Sequence, residues 1–164
     1  MPSNTKENGF ETLIVDTLVN CNGYEQGVTT EYNKQYAIDE GRLFRFLLST
    51  QKKAMDELHI LDSDLEKDRF FKQLDKKLKS DGVIELLRKG IRYKHLRLDL
   101  FYVRPSVHNP EAAELYEKNI FSVTRQLQYS SFNPRLALDV CIFINGLPVI
   151  TMELKNQLTK QNVS

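Results

Sequence analysis

The chain has 164 residues, of which 41 % are apolar and 27 % are charged, as in an average globular protein that buries its own core. The formal net charge is only +1, so the overall charge does not indicate a nucleic-acid-binding protein. The two cysteines, Cys21 and Cys141, exclude a disulfide framework and a zinc site built from paired cysteines, and we expect both to be buried free thiols.

The first 90 residues have mainly helical periodicity. Residues 8–11 resemble a capping box with Asn8 as N-cap and Glu11 at N3, and apolar residues then recur at helical spacing as far as Gly23. Residues 24–38 lack this periodicity, which indicates irregular structure or short strands. Further helices are predicted from Asp39 to Leu58, from Asp64 to Leu78, and from just after Asp81 to Gly90.

After Gly90 the period changes to that of strands. Alternation over Tyr93–Val103 predicts one strand, and a helix is predicted near Glu111–Lys118. Three strands then follow at about 120–129, 136–144 and 148–155, separated by turns at Asn133-Pro134 and Asn145-Gly146. The chain has no apolar run that would serve as a signal peptide or cross a membrane. We therefore expect an α/β fold in a single domain, residues 1–164, located in the cytoplasm.

The last two strands carry a pattern suited to phosphodiester hydrolysis. Asp139 lies early in one strand, and Glu153 and Lys155 lie near the end of the next. Two carboxylates can bind Mg²⁺ through oxygen and leave positions for water and phosphate. Lys155 falls on the same strand face as Glu153, where its ammonium group can orient the attacking water and offset negative charge.

The turn between these strands decides whether the two carboxylates can cooperate. A two-residue Asn145-Gly146 turn with a regular ladder would place Asp139 opposite Met152, so that Glu153 would point to the other face. A three-residue loop, Ile144-Asn145-Gly146, would pair Phe143 with Leu147 and place Asp139 opposite Thr151, with Glu153 as its diagonal neighbour on the same face. We predict the three-residue loop.

The pattern of an aspartate followed by Glu-x-Lys is short, and exposed strand residues often match it by chance. The apolar residues around Asp139 and before Glu153 favour the functional interpretation, because a carboxylate among buried strands needs a partner or a metal. Glu11 is a further candidate, since it shares a helix face with Ile14, Val15 and Leu18. As an N3 residue, however, it would serve simply as a helix cap. Gln126 and Gln128 alternate along the preceding strand and can contact DNA, although polar residues there need no special role.

These residues occur within segments that together resemble the N-terminal nuclease region of the restriction (R) subunit of type I restriction-modification enzymes. The segments are Gly9–Glu11, Phe46–Gln51 (FLLSTQ), Asn119–Gln126 (NIFSVTRQ) and Asp139–Lys155 (DVCIFINGLPVITMELK). The Asn-Gly-Leu-Pro turn in the last segment is more specific than the catalytic pattern alone. The resemblance extends over most of the chain.

The resemblance implies a PD-(D/E)xK nuclease fold, with a central mixed sheet flanked by helices. It implies that Asp139 and Glu153 bind Mg²⁺ with the backbone carbonyl of Leu154, that Lys155 is the catalytic lysine, and that Glu11 is a possible further metal ligand. It also implies a prokaryotic protein whose larger chain carries ATP-driven translocase domains. ATP would bind those domains and not this chain. The implied partners are duplex DNA and the modification and specificity subunits, with no membrane.

Two departures from the family pattern affect these expectations. Leu138 stands where the family motif has proline, which alters no chemistry. The Gln-x-x-x-Tyr motif expected after the lysine does not occur before Ser164, so we interpret the chain as the N-terminal fragment of a multidomain subunit. Whether the fragment alone binds metal or cuts DNA stays open. The alternatives are a PD-(D/E)xK repair exonuclease and a non-catalytic DNA- or partner-binding module on a nuclease-like fold.

Overall fold

A computed structural model describes residues 4–106, 109–130, 132–133 and 135–154, with side chains from residue 9 onwards. The elements, in chain order, are α1 (Asn4–Asn22), β1 (Glu25–Gln26), β2 (Tyr32–Asn33), β3 (Ile38–Asp39), α2 (Glu40–Leu58), α3 (Asp64–Asp81), α4 (Val83–Lys89), β4 (Ile91–Tyr93), β5 (Leu96–Leu98), α5 (Pro110–Glu117), β6 (Phe121–Gln128), β7 (Ala137–Ile144) and β8 (Leu147–Met152). None of the helices in these ranges combines the length and the apolar character that crossing a membrane requires.

The main sheet has four strands in the order β1-β6-β7-β8. Strand β1 runs parallel to β6, whereas β6, β7 and β8 pair antiparallel, so the sheet is mixed, as expected. Two small antiparallel ribbons, β2-β3 and β4-β5, lie outside it. The α/β class and the mixed sheet flanked by helices are therefore confirmed.

Helices cover the sheet through separate apolar clusters. The largest cluster joins α2, α3, α4 and the ribbon β4-β5 to the start of β8 through Leu147 and Val149. Helix α1 packs on β6 and β7 through Val15, which contacts a cluster containing Val123, Val140 and Ile142. Helix α1 thus lies over the two middle strands of the sheet, β6 and β7, the second of which carries Asp139.

Most helices begin and end at the capping and stop residues that the sequence predicts for them. Asp39 caps α2 by accepting a hydrogen bond from the Arg42 N–H at 3.0 Å, and Gly90 follows the last residue of α4. The predicted start of α1 at Asn8 is wrong, because the helix already begins at Asn4. No residue between Asn4 and Asn8 forbids helical backbone, so the capping-box pattern did not mark the first turn.

The predicted strand Tyr93–Val103 is wrong as a single element. The chain reverses at Lys94, whose φ is +50°, and forms the hairpin β4-β5. Alternation cannot distinguish one strand from two strands joined by a tight turn when the turn lacks glycine or asparagine. After Leu98 the backbone of Asp99 pairs with the side chain of Gln51 instead of with a neighbouring strand. Its amide oxygen accepts from the Asp99 N–H, and its amide nitrogen donates to the Asp99 carbonyl, both at 2.8 Å.

The two cysteines differ in their surroundings. Cys141 is buried in the sheet, as predicted, and burial raises the pKa of its thiol to about 12. Cys21 lies in the last turn of α1 and is exposed, so the expectation that it is buried is wrong. The helix turns Cys21 away from the face that carries Val15, which contacts the sheet.

Candidate functional site

The turn that joins β7 to β8 has two residues. Ile144 pairs with Leu147, and Asn145 and Gly146 between them have φ values of +50° and +82°. Positive φ at both central residues is the property of the type I′ turn, which Asn-Gly favours strongly. The predicted three-residue loop is therefore wrong.

A β-bulge in β8, rather than the turn, supplies the extra residue that shifts the β7–β8 register by one. Phe143 pairs with Pro148, but Ile142 pairs with Ile150, so Val149 is the extra residue. The register then continues with Cys141 opposite Thr151 and Val140 opposite Met152. The pairs end there, and strand β8 ends at Met152 rather than near residue 155 as predicted. Continued by one position, this register would set Glu153, rather than Thr151, opposite Asp139.

Buried polar contacts hold the two-residue turn in place. The side-chain nitrogen of Asn145 donates to the Leu100 carbonyl at 2.9 Å and to the side-chain oxygen of Asn119 at 3.0 Å, and its oxygen accepts from the Ile120 N–H at 2.6 Å. The carbonyl of Gly146 accepts from the Asp39 N–H at 2.9 Å. Asn145 is fully buried. These contacts fix the direction in which β8 leaves the turn, and thereby the position of Glu153.

Asp139 is half-buried, and both of its carboxylate oxygens accept hydrogen bonds. Oδ1 accepts from the side-chain nitrogen of Gln126 at 3.3 Å, and Oδ2 accepts from the Leu154 N–H at 2.5 Å. Glu153 is exposed and has no hydrogen bond or ion pair to any described residue. The expectation that apolar strands bury both carboxylates is correct only in part, because β8 is the edge strand of the sheet and Ile150 on it is half-exposed.

Glu11 lies inside α1 and is only 2 % exposed. Its carboxylate accepts a hydrogen bond from Gln126 Nε2 at 2.9 Å and forms an ion pair with Arg125 at 3.3 Å. Because the helix starts seven residues earlier, at Asn4, Glu11 is not an N3 cap. It points inward, on the same helix face as the buried Val15. A carboxylate buried to this extent needs such donors, since burial without them carries a large desolvation cost.

Gln126 links the two carboxylates, a role that the sequence did not reveal. It stands in β6 at the position opposite Asp139, between the pairs Arg125–Val140 and Leu127–Leu138, with a left-handed φ of +47°. The alternation of β6 breaks there, because Val123 packs in the cluster under α1 whereas Leu127 packs with Cys141 and Phe143. No local pattern signals such a break, since glutamine is not a residue that favours positive φ.

The structure therefore brings Glu11, Gln126, Asp139 and the Leu154 N–H together, and Glu153 immediately precedes Leu154 in the chain. Within the described ranges, no group of three or more His, Cys, Asp or Glu side chains is arranged to hold a metal ion. Lys155 lies outside the described residues. The donor set nevertheless suits Mg²⁺, which binds oxygen and is commonly held by one or two carboxylates while it keeps several waters.

Comparison with protein families gives one finding that spans almost the whole chain. The family described as the type I restriction enzyme R protein N terminus matches residues 4–164. Comparisons with curated proteins and with solved structures give no match.

Proposed function

Because the chain belongs to the family of type I restriction enzyme R protein N-termini, we propose that it is the Mg²⁺-dependent endonuclease region of such a subunit, on a PD-(D/E)xK fold. Its substrate is duplex DNA, in which it hydrolyses phosphodiester bonds. The whole of residues 1–164 then forms one nuclease domain of a larger subunit.

The register of β7 and β8 carries this proposal. If Val149 were a regular member of the ladder, Glu153 would point to the face opposite Asp139, and the two could not share an ion. The bulge shifts the register by one residue as far as the pair Val140–Met152, which supports a shared face for Asp139 and Glu153, and bulges are frequent next to active sites, where they redirect a side chain. The exposed carboxylate of Glu153 has no partner among the described residues, so it is free to bind a cation.

Each residue has a defined task in the proposed site. Asp139 and Glu153 bind Mg²⁺ together with the backbone carbonyl of Leu154, and Glu11 is a further possible ligand. The bound ion supplies Lewis acidity toward the phosphate and lowers the pKa of a coordinated water. Lys155, two residues after Glu153 in the sequence, orients the attacking water and offsets the negative charge that develops on phosphorus.

In the cell, the site would act within a complex. Modification and specificity subunits would select foreign, unmodified DNA, and ATP-driven translocase domains elsewhere in the R subunit would bring duplex DNA to the site. ATP would bind those domains and not this chain.

Plasmid cleavage by the reconstituted restriction complex tests the proposal. We expect Asp139→Ala and Lys155→Ala each to reduce the cleavage rate by about 100-fold or more, because each removes a group that acts on the transition state. ATP hydrolysis by the complex should be unchanged, which shows that the variant subunits still fold and assemble.

Matched surface variants serve as controls. Asp16→Ala and Lys53→Ala remove exposed charges that have no ion-pair partner among the described residues, and they should cleave at the unaltered rate. Wild-type cleavage by both Asp139→Ala and Lys155→Ala would contradict the proposal and favour a non-catalytic binding module. Cleavage of linear DNA from its ends, with circular plasmid left intact, would instead indicate an exonuclease.

A further inference from the structure

Gln126 is the polar residue that contacts both Glu11 and Asp139. Its single amide nitrogen donates to Glu11 Oε1 at 2.9 Å and to Asp139 Oδ1 at 3.3 Å. The side chain is exposed, and none of the described residues donates a hydrogen bond to its amide oxygen. The nitrogen thus lies between two carboxylates, while the oxygen of the same group is unused.

Backbone geometry holds this side chain where it is. Gln126 adopts φ +47° at the one position of the β6–β7 ladder that faces Asp139. The left-handed region is unfavourable for residues other than glycine, and such residues cluster at functional sites. The neighbouring Arg125 occupies the second oxygen of Glu11. Gln126 therefore bridges the other oxygen of Glu11, Oε1, and Asp139 Oδ1.

A point between two carboxylate oxygens attracts either a hydrogen-bond donor or a cation. Only the nitrogen of a glutamine amide can serve when no cation is present, because its oxygen would repel both carboxylates. When a divalent cation is present the preference reverses, since amide oxygens are good ligands for hard cations. Rotation of the terminal amide exchanges the two atoms without moving the backbone.

We propose that Gln126 is a further ligand of the divalent cation. Its amide nitrogen holds Glu11 and Asp139 together in the absence of the ion, and its amide oxygen binds the ion once it enters. The inference rests on the proposed function, because it concerns the same metal site. Gln126 therefore stabilises the site in both states, through its amide nitrogen when the metal is absent and through its amide oxygen when the metal is bound.

Mn²⁺ titration of the chain by calorimetry, combined with thermal melting in EDTA and in saturating Mn²⁺, tests this proposal. Gln126→Met keeps the length of the side chain but removes both amide atoms. We expect it to weaken Mn²⁺ binding by about 10-fold or more. Gln126→Glu keeps an oxygen but removes the donor, so it should melt at a lower temperature in EDTA and bind Mn²⁺ at least as tightly as the unaltered chain.

The pair of variants separates a ligand from a residue that only positions its neighbours. If the N–H donor were all that matters, Gln126→Glu would lose Mn²⁺ affinity as Gln126→Met does, and that result would overturn the proposal. Gln128→Met and Gln128→Glu, on the same strand and exposed, are the matched controls and should leave both affinity and melting unchanged.

Failure of this inference is distinguishable from failure of the proposed function. Mn²⁺ binding that requires Asp139 but is equal in the unaltered chain and in Gln126→Met overturns the inference alone. An unaltered chain that binds no Mn²⁺ overturns the inference together with the metal site on which it rests.

Discussion

Gly146 occupies a position in the turn that a larger residue cannot take without displacing its neighbours. A Cβ atom added there would lie 2.4 Å from the Asp39 carbonyl oxygen and 2.7 Å from the Leu43 nitrogen, and the residue has φ +82°. Both neighbouring atoms are backbone, so neither can move cheaply. The glycine permits the approach between the β7–β8 turn and the start of α2, and with it the Asp39 N–H to Gly146 carbonyl bond.

Gly146→Ala should therefore destabilise the chain by about 2–4 kcal/mol, the sum of backbone strain and a steric clash in the core. Urea denaturation followed by circular dichroism measures the change. Gly23→Ala is the matched control, since Gly23 also has a positive φ, +71°, but no atom lies within 4 Å of an added Cβ. It should cost only about 1 kcal/mol. Equal losses for the two variants would show that the close contact with α2 contributes nothing.

For individual residues, the sequence predicted which ones matter better than it predicted which residues they contact. Glu11 was a candidate because it shares a helix face with Ile14, Val15 and Leu18, and its side chain is buried. Its partners Arg125 and Gln126 are more than 110 residues away along the chain, and no spacing rule connects a helix to a strand at that distance. The same reason explains why Gln126 was considered only as a possible DNA contact.

Strand β8 is the element on which the candidate site depends most. The prediction that Asp139 and Glu153 share a face requires the β7–β8 pairing to shift by one residue. The shift occurs at Val149 in the strand rather than in the turn. Among the described strands, β8 has one neighbour, β7. A proline, such as Pro148, and a bulge on an edge strand hinder pairing with another chain.

Two variants, one with a single-residue insertion and one with a single-residue deletion, test whether the β7–β8 register matters for Mn²⁺ binding. Insertion of one alanine between Ile150 and Thr151 moves Glu153 to the face opposite Asp139, because side chains alternate along a strand. We expect this variant to lose Mn²⁺ binding in calorimetry while it keeps its circular dichroism spectrum.

Deletion of Val149 is the control. It removes the extra residue, leaves the pairs Ile142–Ile150 and Val140–Met152 as they are, and should keep Mn²⁺ affinity within a few-fold. If the insertion bound Mn²⁺ as tightly as the deletion, the register would not matter for the site.

Over the whole molecule, burial and internal hydrogen bonds make the fold sensitive to high pH. Burial raises the pKa of Cys141 from 9.0 to about 12. The hydrogen bond that the Tyr36 hydroxyl donates to Asp68, at 2.5 Å, raises the pKa of Tyr36 from 10.0 to about 12. In both cases the folded state holds its proton more tightly than the unfolded state does, so the stabilisation is complete below pH 9 and declines as the pH rises toward 12.

Urea midpoints between pH 7 and pH 11 should therefore stay level to about pH 9 and then fall. Tyr36→Phe removes one of the titrating groups and should make the decline above pH 10 shallower. Tyr129→Phe, at an exposed position, is the control and should follow the unaltered chain. A midpoint that rises with pH above 9 would contradict the assignment of these groups.

The helical segments, the α/β class and the approximate positions of the last three strands were predictable, because apolar periodicity and turn residues act within about ten positions of the chain. Helices α2 to α5 also lie close to where capping and stop residues predicted them. The first turn of α1 and the β4-β5 hairpin were not predicted correctly, since neither carries a distinctive local signal.

The sequence by itself determined the candidate residues, because Asp139, Glu153 and Lys155 are recognisable from residue type, spacing and the Asn-Gly turn between them. Tertiary structure decided how Glu11, Gln126 and Asp139 are arranged. The bulge at Val149 lies within the β7–β8 hairpin, whereas the burial of Glu11 and its contact with Gln126 depend on packing between α1 and β6, which are distant along the chain. Such packing selects among backbone conformations that are nearly equal in local energy, and only the folded chain contains the contacts that make the choice.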